Sequence, residues 1–243
     1  MTYAELVVAI QSYTENNFPA ITLADGSTES TTTQINRFIQ QAEQRIYNTV
    51  QFPSLRKNMT GVATVNNKYL ACPDDFLSTF SLAVINADGS YEYLLNKDVN
   101  FIRQAYPNPT DTATPKYYAL FGPTTTAGLN PSITNELSFI LGPTPDAAYS
   151  VELHYYYYPT SITTAASGQT WLGDNFDTVL LYGSLVEAYT FMKGETDMLQ
   201  LYDGKYKEAL GLAKRLGDGL ERSDAYRSGQ YREAPLPQNN GVR

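Results

Sequence analysis

Cysteine and histidine are almost missing from this 243-residue chain, which holds one of each, Cys72 and His154. A single thiol excludes an intramolecular disulfide, and the two together leave no zinc-type ligand set. Metal binding through Asp and Glu has no loop pattern behind it. Charge is thin as well: charged residues make up 17% of the chain, against about 25% in ordinary soluble domains. What charge there is leans acidic, with 17 Lys and Arg against 25 Asp and Glu and a formal net charge of -8. A protein that grips phosphates needs clustered Lys and Arg to release counterions, so the balance argues against specific nucleic-acid binding. In a ring of copies around DNA, the same negative wall would favour passage over binding.

Long hydrophobic runs are lacking too, none approaching the roughly 18 apolar residues that mark a membrane span. The N-terminal stretch has no basic residue before its apolar positions and carries Glu5, unlike a secretory leader. The expectation is a chain made and used inside a cell, with no membrane partner. Gly211, Gly217 and Gly219 sit in or after a helical pattern and not between a strand and a helix, so no phosphate loop or dinucleotide fingerprint exists. There is no internal repeat.

What is present is aromatic: 20 Tyr, 10 Phe and one Trp within a 42% hydrophobic chain. That is ample for packing, and a surface of Tyr, Thr, Asn, Gln and Ser in place of charge suits protein contacts. A neutral-polar surface with no partner is the plainer alternative.

Thr2 and Glu5 form a capping-box pattern ahead of Tyr3, Leu6, Ala9, Ile10 and Tyr13, one face of a helix predicted to end near Asn17. Residues 20–32, with Asp25-Gly26 and a Ser/Thr cluster, read as a surface loop. From Thr33, the positions Ile35, Phe38, Ile39, Ala42, Ile46 and Val50 give a second amphipathic helix, closed by Phe52-Pro53. After about residue 57 the period shortens and turn residues recur, predicting strands over 60–70, 79–86, 91–95, 116–121, 136–142 and 149–158. Asp88-Gly89 marks a hairpin turn, and a short helix is expected at 97–105 with Asn96 as its cap. Residues 122–134 and 159–170 read as polar loops outside the core. Helical spacing returns from Asp174 or Asp177 to Lys193, with Gly194 as the stop, and again from a Thr196 cap through Leu216.

Helices at both ends around a strand-rich centre predict an α+β protein. Two short amphipathic helices cannot bury their stripes alone, so the N- and C-terminal helices are expected to form one bundle, with an antiparallel β domain inserted between them. The expected division is 1–56 with 171–220 as the bundle, 57–170 as the insertion, and 221–243 as an extended tail. A single layered α+β domain, with each helix pair packed on the sheet, is the alternative.

The search for chemistry finds no catalytic residue. His154 lies in a strand where Val151, Leu153, Tyr155 and Tyr157 share one face and Glu152, His154, Tyr156 and Tyr158 the other. No nucleophile signature accompanies it, so a structural histidine in a Tyr-rich face is the reading. Asp74 and Asp75 are paired acids, the equipment of glycoside cleavage, but adjacent residues rarely point at one substrate and these look like turn residues. Tyr117, Tyr118, Tyr155 to Tyr158 and Trp171 could stack on sugars, which makes a carbohydrate-binding tail module the competing class; half of any such strand must instead face a core. No cofactor is expected. In the tail, Arg222, Tyr226, Arg227, Tyr231 and Arg232 repeat a Tyr-Arg pair, the residue types that most often anchor interfaces. Fully extended, that tail could reach about 75 Å.

The order and phrasing of FIQQAEQRIYNTVQFPSLRKN at 38–58, YLACPDDFLSTFSLAVI at 69–85, PKYYALFG at 115–122, ELSFILGPTPDAAYSVELHYYYYP at 136–159 and WLGDNFDTVLLYGSLVEAYTFMKGETDMLQLYDGKYKEAL at 171–210 resemble the head-to-tail adaptor, or connector, proteins of short-tailed bacteriophages. The layout is similar to that of tail tubular protein A. The resemblance implies a dodecameric ring below the portal protein, with the tail nozzle beneath it and DNA passing through without specific binding. It further implies a C-terminal segment reaching the portal, with Arg222, Tyr226, Arg227, Tyr231 and Arg232 as its contact residues, and a place at the head-tail junction of the virion after assembly in the host cytoplasm.

Overall fold

The computed structural model describes residues 1–108, 110–122, 124–125, 133–135 and 137–229. The fold is α+β, with helices at both ends of the chain flanking a β region. It divides into two units, Met1–Ser54 together with the chain from Pro159 onward, and Leu55–Tyr158 between them.

In the first unit, α1 (Tyr3–Thr14) carries the capping box: the Glu5 N–H donates to Thr2 Oγ1 at 3.3 Å, and the Thr2 N–H donates to the Glu5 carboxylate at 2.8 Å. The helix stops at Thr14, short of the expected Asn17, because Glu15 turns left-handed (φ 48°) and the Phe18 N–H donates to the Asn16 side chain at 2.8 Å. That turn delivers Phe18 into the core against Phe38. Residues 20–32 are more than a loop. Ile21–Thr22 (β1) and Thr28–Glu29 (β2) pair antiparallel, and Glu29 is buried in an ion pair with Arg37 at 2.5 Å.

Helix α2 (Thr31–Thr49) starts two residues earlier than expected, capped by Ser30, and buries Ile35, Phe38, Ile39, Ala42 and Ile46. After α3 (Val99–Ala105), which belongs to the second unit, come α4 (Trp171–Asn175), α5 (Asp177–Met192) and α6 (Thr196–Gly229), and α5 lies against α1, α2, α4 and α6. Gly183 permits the crossing, since a Cβ there would sit 3.2 Å from both Ala42 Cβ and the Tyr206 ring. The left-handed residue closing α5 is Lys193 (φ 54°), not Gly194; Gly194 is required for space, because a Cβ there would meet Tyr189 Cδ1 at 2.7 Å.

Two sequence readings are corrected in this unit. Helix α6 continues to Gly229, so residues 221–229 are helical where an extended tail was expected; the backbone runs through Gly217 and Gly219 without breaking. Residues 159–170 belong to the helical unit, not the insertion, and are not all outside the core. Ile162 is fully buried and its N–H donates to the Glu43 carboxylate at 2.9 Å.

Glu43 has a readable consequence. Burial raises its carboxyl above the ordinary value of 4.5, opposed by the hydrogen bonds from Ile162 and Ser161. The folded state therefore holds the proton more tightly than the unfolded chain, and stability falls as pH rises through the raised value. Glu43→Gln keeps an acceptor for Ile162 without the charge, so urea unfolding is expected to lose that pH slope and to show no loss at neutral pH; an unchanged slope would contradict it. Glu43→Leu leaves the Ile162 N–H unpaired, at an expected cost of about 1–3 kcal/mol.

The second unit contains two four-stranded sheets. The first takes β3 (Arg56–Ala63), β12 (Tyr149–Tyr156), β5 (Ser78–Ile85) and β6 (Tyr91–Tyr93) in the order β3-β12-β5-β6, antiparallel throughout. The second takes β4 (Tyr69–Ala71), β11 (Ser138–Gly142), β8 (Tyr117–Phe121) and β7 (Leu95–Asn96) in the order β4-β11-β8-β7, antiparallel except for the β7-β8 pair. Thr124–Thr125 (β9) and Ile133–Asn135 (β10) form a short ladder of their own. The predicted strand 60–70 is thus two strands in different sheets, separated by a turn with Asn66 at φ 59°.

The two sheets face each other over one core. Leu82, Val84, Val151, Leu153 and Tyr155 come from the first, Tyr118, Phe139 and Leu141 from the second, and Cys72, Phe76 and Leu94 fill in between. On the other side of the second sheet lies α3 (Val99–Ala105), which packs Ile102 on Ala119 and Ile140. Its cap is Asp98, whose carboxylate accepts the Asn100 N–H at 2.7 Å; the expected cap, Asn96, is in β7.

Candidate functional site

His154 is on the outward face of β12, half-buried, with Nδ1 at 3.2 Å from Ser81 Oγ. Glu152, two residues back on the same face, accepts a hydrogen bond from Asn58 Nδ2 at 2.7 Å. The serine and histidine touch, but no third group in the described hydrogen bonds completes a relay. Their combined effect is to fix the neighbouring strands β5 and β12 side by side.

Asp74 and Asp75 lie in the exposed turn closed by the Phe76 N–H donating to Pro73 O. Asp75 is more than a turn residue. It pairs with Lys57 Nζ at 2.7 Å and accepts the Tyr155 hydroxyl at 2.8 Å, which ties the turn to the β3 strand and to the core. Burial pushes the Asp75 carboxyl up, but the hydrogen bonds from Lys57 and Tyr155 outweigh it and hold the carboxyl below the ordinary carboxylate value. A carboxylate locked in its charged form next to a committed lysine is poorly suited to proton transfer.

Burial pushes the Cys72 thiol up to about 12, which keeps it protonated and unreactive. It borders an apolar groove of about 180 Å³ lined by Met59, Leu70, Pro73, Val151 and Leu153. Among the described residues no three His, Cys, Asp or Glu side chains are grouped to hold a metal ion, and no helix is long and apolar enough to cross a membrane.

Within the β unit, the tyrosines proposed as sugar stackers are divided among different surroundings, with Tyr157 packed against the core and Tyr158 exposed. Tyr118 and Tyr155 are core residues. Tyr117 is covered by Phe101 (ring centroids 5.4 Å apart) on the α3 side of the second sheet. Tyr156 meets Phe80 on the outer face of the first sheet, at 6.1 Å between centroids. In the helical unit, Trp171 packs on Phe52 at 5.2 Å and on Phe176 at 5.5 Å.

What the sequence search missed is the outer face of the first sheet. Arg56 lies over the Phe80 ring at 4.9 Å and the Tyr156 ring at 5.7 Å, a cation-π cluster with Phe80 55% exposed. Strand alternation identified Tyr156 as outward-facing. The bulge that brings Phe80 beside it, between the Tyr155 and His154 pairings, leaves no mark in composition. Arg, Phe and Tyr are residue types enriched at protein interfaces.

Of the tail residues named from sequence, Arg222, Tyr226 and Arg227 lie on α6. Tyr231 and Arg232 lie outside the described residues.

These features describe an α+β protein with exposed aromatic and cationic residues on the outer face of its first sheet. The chain belongs to the SU10 adaptor protein family, whose model matches residues 1–232. It is a phage adaptor and a structural component of the virion, and that family is not a class of enzymes. No curated protein matches the chain.

Proposed function

We propose that this adaptor is a head-to-tail adaptor of the short-tailed type, similar to tail tubular protein A, and that twelve copies close into a ring between the portal and the tail nozzle. The observation that carries the reading is the family match over nearly the whole chain. DNA passes through the ring without specific binding, consistent with the net charge of -8 and the repulsion an acidic wall exerts on phosphates.

Portal contact is assigned to the end of α6 and the residues after it, with Arg222, Tyr226, Arg227, Tyr231 and Arg232 as the contact residues. At 1.5 Å per residue the 34-residue α6 is about 51 Å long, and the 16-residue α5 it packs on about 24 Å. More than half of α6 is therefore longer than α5 requires, which gives the helix reach. The ring assembles in the host cytoplasm and stays at the head-tail junction.

The test is reconstitution. Purified chain mixed with portal-bearing, tail-less heads is expected to add one ring of twelve subunits beneath the portal, counted by electron cryomicroscopy with symmetry left free. A chain that ignores such heads while binding glycans would favour the carbohydrate-binding alternative.

A further inference from the structure

The first sheet of the β unit has two open margins. Among the described residues, β3 pairs only with β12 and β6 only with β5. Half the backbone polar groups of each therefore face away from any ladder, a template for another strand. Folded proteins ordinarily blunt such edges with proline, charge or a covering element. Strand β3 carries Arg56 and Lys57 at its start and then runs uncharged and without proline from Asn58 to Ala63. Lys57 is moreover committed to Asp75.

Strand direction decides what fits there. Four strands that alternate in sense leave β3 and β6 running in opposite directions. A second copy set beside the first in the same orientation thus presents β3 antiparallel to β6, with no inversion needed. Same-orientation addition is also what a heterologous interface repeated by rotation requires.

The registers identify the side chains that would meet. One row across the sheet runs Val62, Ser150, Ile85, Tyr91, and the next but one runs Thr60, Glu152, Ala83, Tyr93. Extending each row into the next copy sets Tyr91 against Val62 and Tyr93 against Thr60. These are aromatic on β-branched pairs, a favourable cross-strand combination. Tyr91, Tyr93 and Val62 are 50%, 62% and 60% exposed, so each has apolar surface to lose. Between the rows, Glu92 would face Gly61, which has no side chain to displace. Strand β3 carries Arg56 and Lys57 and β6 carries Glu92, so the two edge strands differ in charge.

We infer that β6 of one copy adds to β3 of the next, joining the first sheets of successive subunits into a continuous antiparallel sheet. This rests on the ring proposed above and names the surface that joins its members.

The experiment uses the full chain with Cys72→Ser, so that no native thiol interferes, carrying Val62→Cys and Tyr91→Cys together. Directly opposed residues in antiparallel strands have Cβ atoms about 4.5–5.5 Å apart, near disulfide range. After assembly on portal and mild oxidation, a ladder of covalent multiples above the dimer is expected from the double variant and from neither single variant. Rings seen by electron microscopy without a ladder overturn the inference and leave the ring standing. A covalent dimer from Val62→Cys alone reveals β3 against β3, and overturns it too. A chain that never multimerises overturns both readings. Independently, Val62→Lys is expected to leave thermal unfolding unchanged and to raise the concentration for half-assembly about tenfold. Unchanged assembly would refute the pairing.

Discussion

Removing residues 221–243 is expected to leave a folded protein that no longer binds portal. Among the described residues, α6 buries Tyr202, Tyr206, Ala209 and Ala213, all before the cut. Tyr202 in particular packs against Tyr13, Tyr182 and Tyr189, with ring centroids 5.0 to 6.5 Å apart. The cut leaves all four of these in place. The portal contact proposed above would lose three arginines and two tyrosines at once, residue types enriched among the hot spots that each cost about 2 kcal/mol or more when truncated. Two such losses, about 4 kcal/mol, already weaken binding about a thousandfold. Circular dichroism and thermal unfolding check the fold; co-sedimentation with portal checks the binding. Portal binding at full strength by the shortened chain would show that the contact lies elsewhere.

Phe139→Ala is expected to cost about 3–5 kcal/mol, the usual penalty for emptying an aromatic core site. Phe139 is fully buried at the centre of the β unit, edge-on to Phe76 at 5.5 Å and to Tyr118 at 5.6 Å. Phe80→Ala provides the comparison. Phe80 is as large but exposed, and its ring contacts are with Arg56 and Tyr156 at the surface, so its removal is expected to cost less than about 1 kcal/mol of stability. Denaturant titration of the two variants separates a packing role from a surface role. Equal losses would mean that the outer face of the first sheet is structurally essential and not kept for contact.

The amphipathic helices were legible because their signal is local. Ile35, Phe38, Ile39, Ala42 and Ile46 declare α2 without any knowledge of what covers them, and the alternation from Val151 to Tyr157 declares which face of β12 is buried. Ends were less legible. Helix α1 stops early because of a left-handed Glu15 and an Asn16 side-chain hydrogen bond, and α6 continues through glycines that composition reads as breakers. Long-range pairing was not legible at all: nothing near residue 60 announces that Arg56–Ala63 and Tyr69–Ala71 join different sheets.

The same holds for the candidate contact surfaces. The Tyr-Arg pairs at the C-terminal end stand out by composition alone. The Arg56, Phe80 and Tyr156 cluster requires three separated segments to meet, and neither Phe80 nor Arg56 is unusual in its own neighbourhood. Glu43 could have been found. It falls four residues after Ile39 and three before Ile46, on the apolar stripe of α2, where a carboxylate is out of place unless something donates to it. Its donor, the Ile162 backbone, lies in a stretch whose Ser, Thr and Ala content gives no sign of a buried residue.

The most direct measurement is imaging of virions from a phage in which this gene is interrupted by a nonsense codon. A head-to-tail adaptor requires that such lysates contain heads without tails, and that adding the purified chain restores tail attachment and infectivity. Tailed, infective particles formed in the complete absence of the chain would contradict the assignment.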